Sequence, residues 1–99
     1  MILDRKEKQP IEIKDYPINY ADWLAESGDT LIDVQANIVC LTDSDDTSLT
    51  VHNLTLAPTA VSVWLAGGTD GQRYKVSVTV DTVGGRRDQS EFIVRIKDY

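Results

Sequence analysis

Val61-Ser62-Val63-Trp64-Leu65-Ala66-Gly67-Gly68-Thr69-Asp70-Gly71-Gln72-Arg73-Tyr74-Lys75-Val76-Ser77-Val78-Thr79-Val80-Asp81-Thr82 is two alternating runs joined by a glycine-rich turn. Successive side chains of a β-strand point to opposite faces, so a period of two gives each run an inner and an outer side. From Arg73 to Thr82, Tyr74, Val76, Val78 and Val80 share one face, and Lys75, Ser77, Thr79 and Asp81 share the other. The first set faces a core and the second faces water. From Ala60 to Ala66, Val61, Val63 and Leu65 share a face opposite Ala60, Ser62, Trp64 and Ala66. The alternation leaves open whether Trp64 lies in the core or faces solvent or a partner. Gly67 to Gly71 reads as a hairpin turn. It lacks the Gly-Lys-Ser/Thr ending and the following helix of a phosphate-binding loop.

The same period extends outward in both directions. Gly84-Gly85 makes a turn, and Glu91 to Lys97 forms the last strand, with Phe92, Val94 and Ile96 on one side. Upstream, Leu49, Val51, Leu54 and Leu56 mark a short strand that Pro58 ends. In Thr30 to Leu41 the face carrying Ile32, Val34, Ala36, Ile38 and Cys40 is apolar throughout and is expected inside. Ile32, Val34 and Ile38, with Val76, Val78 and Val80, are therefore the expected core centre. Ile11, Ile13 and Tyr16 suggest a first strand, which Pro17 confines to a sheet edge or breaks in two. Ala, Leu and Glu around Asp22 to Ala25 favour one helical turn, stopped by Gly28, with Trp23 and Leu24 plugging one end of the core.

About seven short strands with regular turn signals predict an all-β fold, an immunoglobulin-like two-sheet sandwich with one short helical turn. Tyr74 sits just inside a strand after a turn, where such sandwiches place a tyrosine whose hydroxyl returns to nearby backbone. The antibody disulfide is absent, because Cys40 is the single cysteine. It reads as a small buried hydrophobe.

A chain of 99 residues suits one domain. Residues 11–99 are expected to form the sandwich and residues 1–10 a mobile N-terminal arm, because Asp4 to Gln9 is too polar to bury itself. Ile2 and Leu3 at its tip are candidate anchors for a neighbour. The net charge of −6 argues against nucleic acid and anionic membranes as partners. No apolar run reaches the roughly 20 residues that span a bilayer. The first residues lack a signal-peptide core, so synthesis in a cytoplasm is expected.

The candidates for chemistry are few. Asp43-Ser44-Asp45-Asp46 clusters carboxylates, but glycine at the sixth position and glutamate at the twelfth are missing from the EF-hand spacing. His52, the single histidine, has no companion in a known catalytic spacing. No catalytic, metal or cofactor-binding residue is assigned, and no cofactor is expected. Arg86-Arg87, after the glycine turn, suits either a partner's carboxylate or a pairing within the domain.

Asp15-Tyr16, Asp22-Trp23-Leu24 and Gly28-Asp29-Thr30-Leu31 form one group of motifs; Val63-Trp64-Leu65-Ala66-Gly67-Gly68-Thr69 with Gly71 and Tyr74, then Thr82 and Gly85-Arg86, form another. Together they resemble the fibre–tail adaptors, small virion proteins of tailed phages and prophages, from about Asp15 to Ile96. The stretch Gly84-Gly85-Arg86-Arg87-Asp88 is richer by one arginine than that family's tip, and Leu41 to Pro58 shows no likeness to it.

The resemblance implies no catalysis and no cofactor. It implies a virion component synthesised in the bacterial host, an adaptor between the tail or head–tail region and other virion proteins such as fibres, present in several copies. Trp64, Arg86 and Arg87 join Ile2 and Leu3 as expected partner-binding residues. A second function would be an Ig-like module recognising carbohydrate or a cell-surface protein, with Trp64 and Tyr20 as an aromatic platform.

Overall fold

The computed structural model describes residues 2–98, with side chains from Arg5 onward. Seven strands and one helical turn follow in the order β1 (Ile2–Lys8), β2 (Lys14–Asn19), α1 (Ala21–Ala25), β3 (Leu31–Cys40), β4 (Leu49–Leu56), β5 (Ala60–Gly67), β6 (Arg73–Thr82) and β7 (Arg87–Ile96). They form two sheets, β1-β7-β6-β3 and β2-β5-β4. This is the two-sheet immunoglobulin-like arrangement, with the first strand laid on the sheet that holds the last.

The strands alternate as their residues dictate. Val76, Val78, Val80, Val63, Leu65, Val94 and Ile96 are wholly buried between the sheets. Tyr16 of one sheet meets Phe92 of the other, with ring centroids 5.3 Å apart. Leu24 of α1 closes one end of this core, and Trp23 packs against it. Pro17 lies in β2, an edge strand, where its missing N–H breaks no ladder.

Three expectations are corrected. First, Gly67–Gly71 does not make a hairpin: β5 pairs with β2 and β4, and β6 pairs with β3 and β7, so the turn carries the chain from one sheet to the other. Second, Ile32 is outside the core. Leu31 pairs with Thr82 and Asp33 with Asp81, leaving Ile32 as an extra residue that is 58% exposed. The bulge resets the alternation. Leu31 takes the inner place, and Val34, Ala36 and Ile38 keep theirs half-buried. Third, Ile2–Lys8 is a strand, paired in parallel with β7, where a separate arm was expected. Its signal is hidden because its inward residue at the end is Lys8, not an apolar one. The side chains of Ile2 and Leu3 fall outside the described residues.

Lys8 is 1% exposed. Its ammonium donates to the carbonyls of Gly67 at 2.6 Å, Gln9 at 2.9 Å and Pro10 at 3.4 Å. Burial pushes its pKa below the ordinary lysine value, while Glu12 pulls the other way.

Candidate interaction surfaces

The molecule extends 43 Å along its longest axis, and motif residues gather at each of the two ends of β6. At one end lies the crossover from β5 to β6. The Tyr74 hydroxyl, on a residue with no exposed surface, accepts from the Thr69 backbone N–H at 3.0 Å and meets the Ser48 hydroxyl at 3.1 Å. This is the tyrosine corner that the sequence predicts, returning five residues upstream. Gly67 has φ +81°, and a Cβ there would run into the Ser48 carbonyl. Its own carbonyl receives Lys8. The Asp46 carboxylate accepts from the Ser48 hydroxyl at 2.6 Å and the Ser48 N–H at 2.9 Å. Those bonds, the hydroxyl first, hold its pKa well below the usual carboxylate range. Asp46, in the acidic loop, thus closes a turn.

At the other end, Asp29 ties three elements together. It accepts from the N–H groups of Thr30 at 2.9 Å and Gly84 at 3.0 Å, and from Arg86 Nε at 3.5 Å. A Cβ on Gly84 would come within 2.7 Å of the carboxylate, which would have to shift to admit it. Arg86 lies over the Trp23 ring, 4.4 Å from its centroid. Its Nη2 is buried without a hydrogen-bond partner among the described residues. The Arg86 N–H donates to Thr82 Oγ1 at 2.9 Å. The motif residues Trp23, Asp29, Thr82, Gly85 and Arg86, scattered in sequence, therefore form one cluster.

The residues expected to bind a partner do not come together. Arg86 is engaged as above, and Arg87 donates to Asp81 at 2.6 Å and 3.5 Å. Both arginines pair within the domain. Trp64 lies half-buried on the outer face of the three-stranded sheet, across from Asp15 and Asn53. Its Nε1 is buried and has no hydrogen-bond partner among the described residues. Tyr20 is 5% exposed and donates to Ser90 at 3.0 Å, so it shares no solvent-facing platform with Trp64.

Sequence reasoning missed other apolar groups that reach solvent. Ile11 is 90% exposed and Ile13 is 53% exposed, both between β1 and β2 beside the Lys8 site. Their alternation with Glu12 and Lys14 resembled a strand, but β2 begins only at Lys14. Among the described residues no group of His, Cys, Asp and Glu could hold a metal, and no helix is long and apolar enough to cross a membrane.

Residues 8–95 match the family described as "Podophage GP4 fiber-tail adaptor protein gp77". The match covers nearly the whole sandwich and both motif clusters, and the chain belongs to this family of phage structural adaptors. No curated protein matches the chain at a significant level.

Proposed function

We propose that this chain, as a member of the podophage fibre–tail adaptor family, joins the tail of a virion to its fibres as a non-catalytic component present in several copies. The family match over residues 8–95 carries this assignment. The architecture supports it. The shared motifs are spent on fixing the two ends of the sandwich, Tyr74–Thr69 at one and Asp29–Gly84 at the other. That leaves a stiff body with two open sheet faces and an exposed apolar loop at Ile11 and Ile13. A scaffold with rigid ends and free faces suits holding two other proteins at a set distance. The partner contacts fall on those faces and on the terminal segment carrying Ile2 and Leu3, and the protein resides in the virion.

The test is assembly without the protein. Phage carrying a nonsense mutation in this gene should yield particles with tails but without fibres, by electron microscopy and by mass spectrometry of purified virions. Adding the purified protein with fibre protein should restore them. Normal fibre content on particles lacking this chain would overturn the assignment.

A further inference from the structure

On the outer face of the four-stranded sheet, Arg87 and Lys75 each lie against a carboxylate. Arg87 is held by Asp81 at 2.6 Å, and Lys75 lies 3.4 Å from Glu91. One row further on, Arg73 of β6 stands directly opposite Arg95 of β7. Both alternate with buried neighbours, Tyr74 on one strand and Val94 and Ile96 on the other, so both point outward. Among the described residues the one carboxylate near Arg95 is Glu7, at 4.0 Å, with both side chains at least half exposed. Arg73 has no carboxylate within 4 Å among the described residues. Like charges placed opposite each other on antiparallel strands destabilise the sheet. The fold tolerates this pair on a chain whose net charge is −6.

The two arginines line a shallow concavity of about 610 Å³. Arg5 and Lys6 contribute further positive charge, Glu7 one negative charge, and Ile93 an apolar floor. Among the described lining residues cations therefore outnumber carboxylates, opposite to the net sign of the molecule. A guanidinium recognises a carboxylate through two parallel hydrogen bonds.

We propose that this concavity is a docking site for a short acidic segment of a neighbouring virion protein, with carboxylates held between Arg73 and Arg95 and an apolar side chain over Ile93. The assignment rests on the adaptor role and names the chemistry of one of its partners. A long polyanion such as DNA fits less well, because it would run past the concavity over a molecule whose net charge is −6, whereas a short segment stays within it.

The test uses the full-length protein and a hexaglutamate peptide carrying one leucine, titrated by NMR. The peptide should shift the amide signals of Arg73, Ile93 and Arg95, and binding should weaken as salt rises from about 50 to 300 mM. Arg73→Gln and Arg95→Gln should each weaken binding at least about tenfold. Arg87→Gln, at the far end of the same face, should change it by less than about threefold. Arg73→Gln should also leave thermal stability unchanged or raise it, since it removes the like-charge opposition; a merely structural arginine would show the reverse.

Absence of peptide binding, or equal binding by the glutamine variants, overturns the site. Tighter binding of a duplex oligonucleotide than of the peptide overturns the acidic-protein assignment. Virions carrying Arg73→Gln that retain normal fibres would sink this site and leave the adaptor role standing, whereas fibres on particles lacking the chain would remove that role.

Discussion

The Asp29 carboxylate accepts a hydrogen bond from the backbone N–H of Gly84, 55 positions away, at 3.0 Å. One side chain at the end of the α1 turn thereby sets the path of the β6–β7 hairpin. It also positions Arg86 over Trp23. Two motifs that are far apart in the chain are thus one structural device.

Hydrogen bonds from the Thr82 hydroxyl first, then from Gly84, Thr30 and Arg86, lower the Asp29 pKa below its ordinary value of 3.8. A depressed carboxylate contributes stability that is present above the unfolded value and is lost as pH falls through the folded one. Asp29→Asn should therefore lower the urea midpoint at neutral pH. The gap to wild type should close as the solution is acidified below about pH 4. A gap independent of pH would show that the carboxylate charge plays no part.

Val78 is fully buried, whereas Ile32 sits outside on the bulge. Val78→Ala should cost about 1–3 kcal/mol through lost burial and a small cavity. Ile32→Ala should stay within about 0.5 kcal/mol. Chemical denaturation of both variants checks the bulge directly, and equal losses would contradict it.

Two tyrosines should respond in opposite ways to loss of the hydroxyl. Tyr74→Phe removes the bonds of the buried phenol to Thr69 N–H and the Ser48 hydroxyl and should cost about 0.5–1.5 kcal/mol. The Tyr16 hydroxyl is buried without a partner among the described residues, so Tyr16→Phe keeps the ring against Phe92 and should be neutral or stabilising by up to about 1 kcal/mol.

Burial pushes the Tyr16 pKa up to about 12 from 10.0, with Glu12 and Asp15 adding to it. Because burial penalises only the ionised phenolate, no cost arises below the unfolded value, and stability is lost as pH climbs from there through the folded one. Wild type should therefore lose stability relative to Tyr16→Phe between pH 10 and about 12. Ultraviolet titration at 295 nm against the variant reads the same ionisation.

Gly67 holds φ +81° against the Ser48 carbonyl. Gly67→Ala should destabilise by about 1–3 kcal/mol, combining a disfavoured backbone with a clash that backbone must absorb. A melting temperature equal to wild type would show that the crossover has room to relax.

The alternation of Val76, Val78 and Val80, the edge position of Pro17, the turn around Trp23 and the tyrosine corner at Tyr74 were all legible in the sequence. Each depends on local geometry: the two-residue period, the missing proline N–H, the propensity of a few neighbours, the turn before a strand. The motif residues also pointed to the family before any pairing was known. Tertiary structure alone decided which sheet each strand joins. The glycines at 67–71 read as a hairpin because a hairpin and a sheet-to-sheet crossover use the same turn chemistry; only the partners of β5 and β6 distinguish them. Ile32 left the core because a bulge shifts the register against Thr82 and Asp81, residues some 50 positions away. Residues 2–8 showed no apolar period because the buried end position is Lys8, satisfied by carbonyls that the fold brings to it. The opposition of Arg73 and Arg95 is likewise a product of pairing. Side-chain direction is written residue by residue, but neighbours across a sheet are chosen by the whole chain, which is why the faces of this sandwich were readable and its surfaces were not.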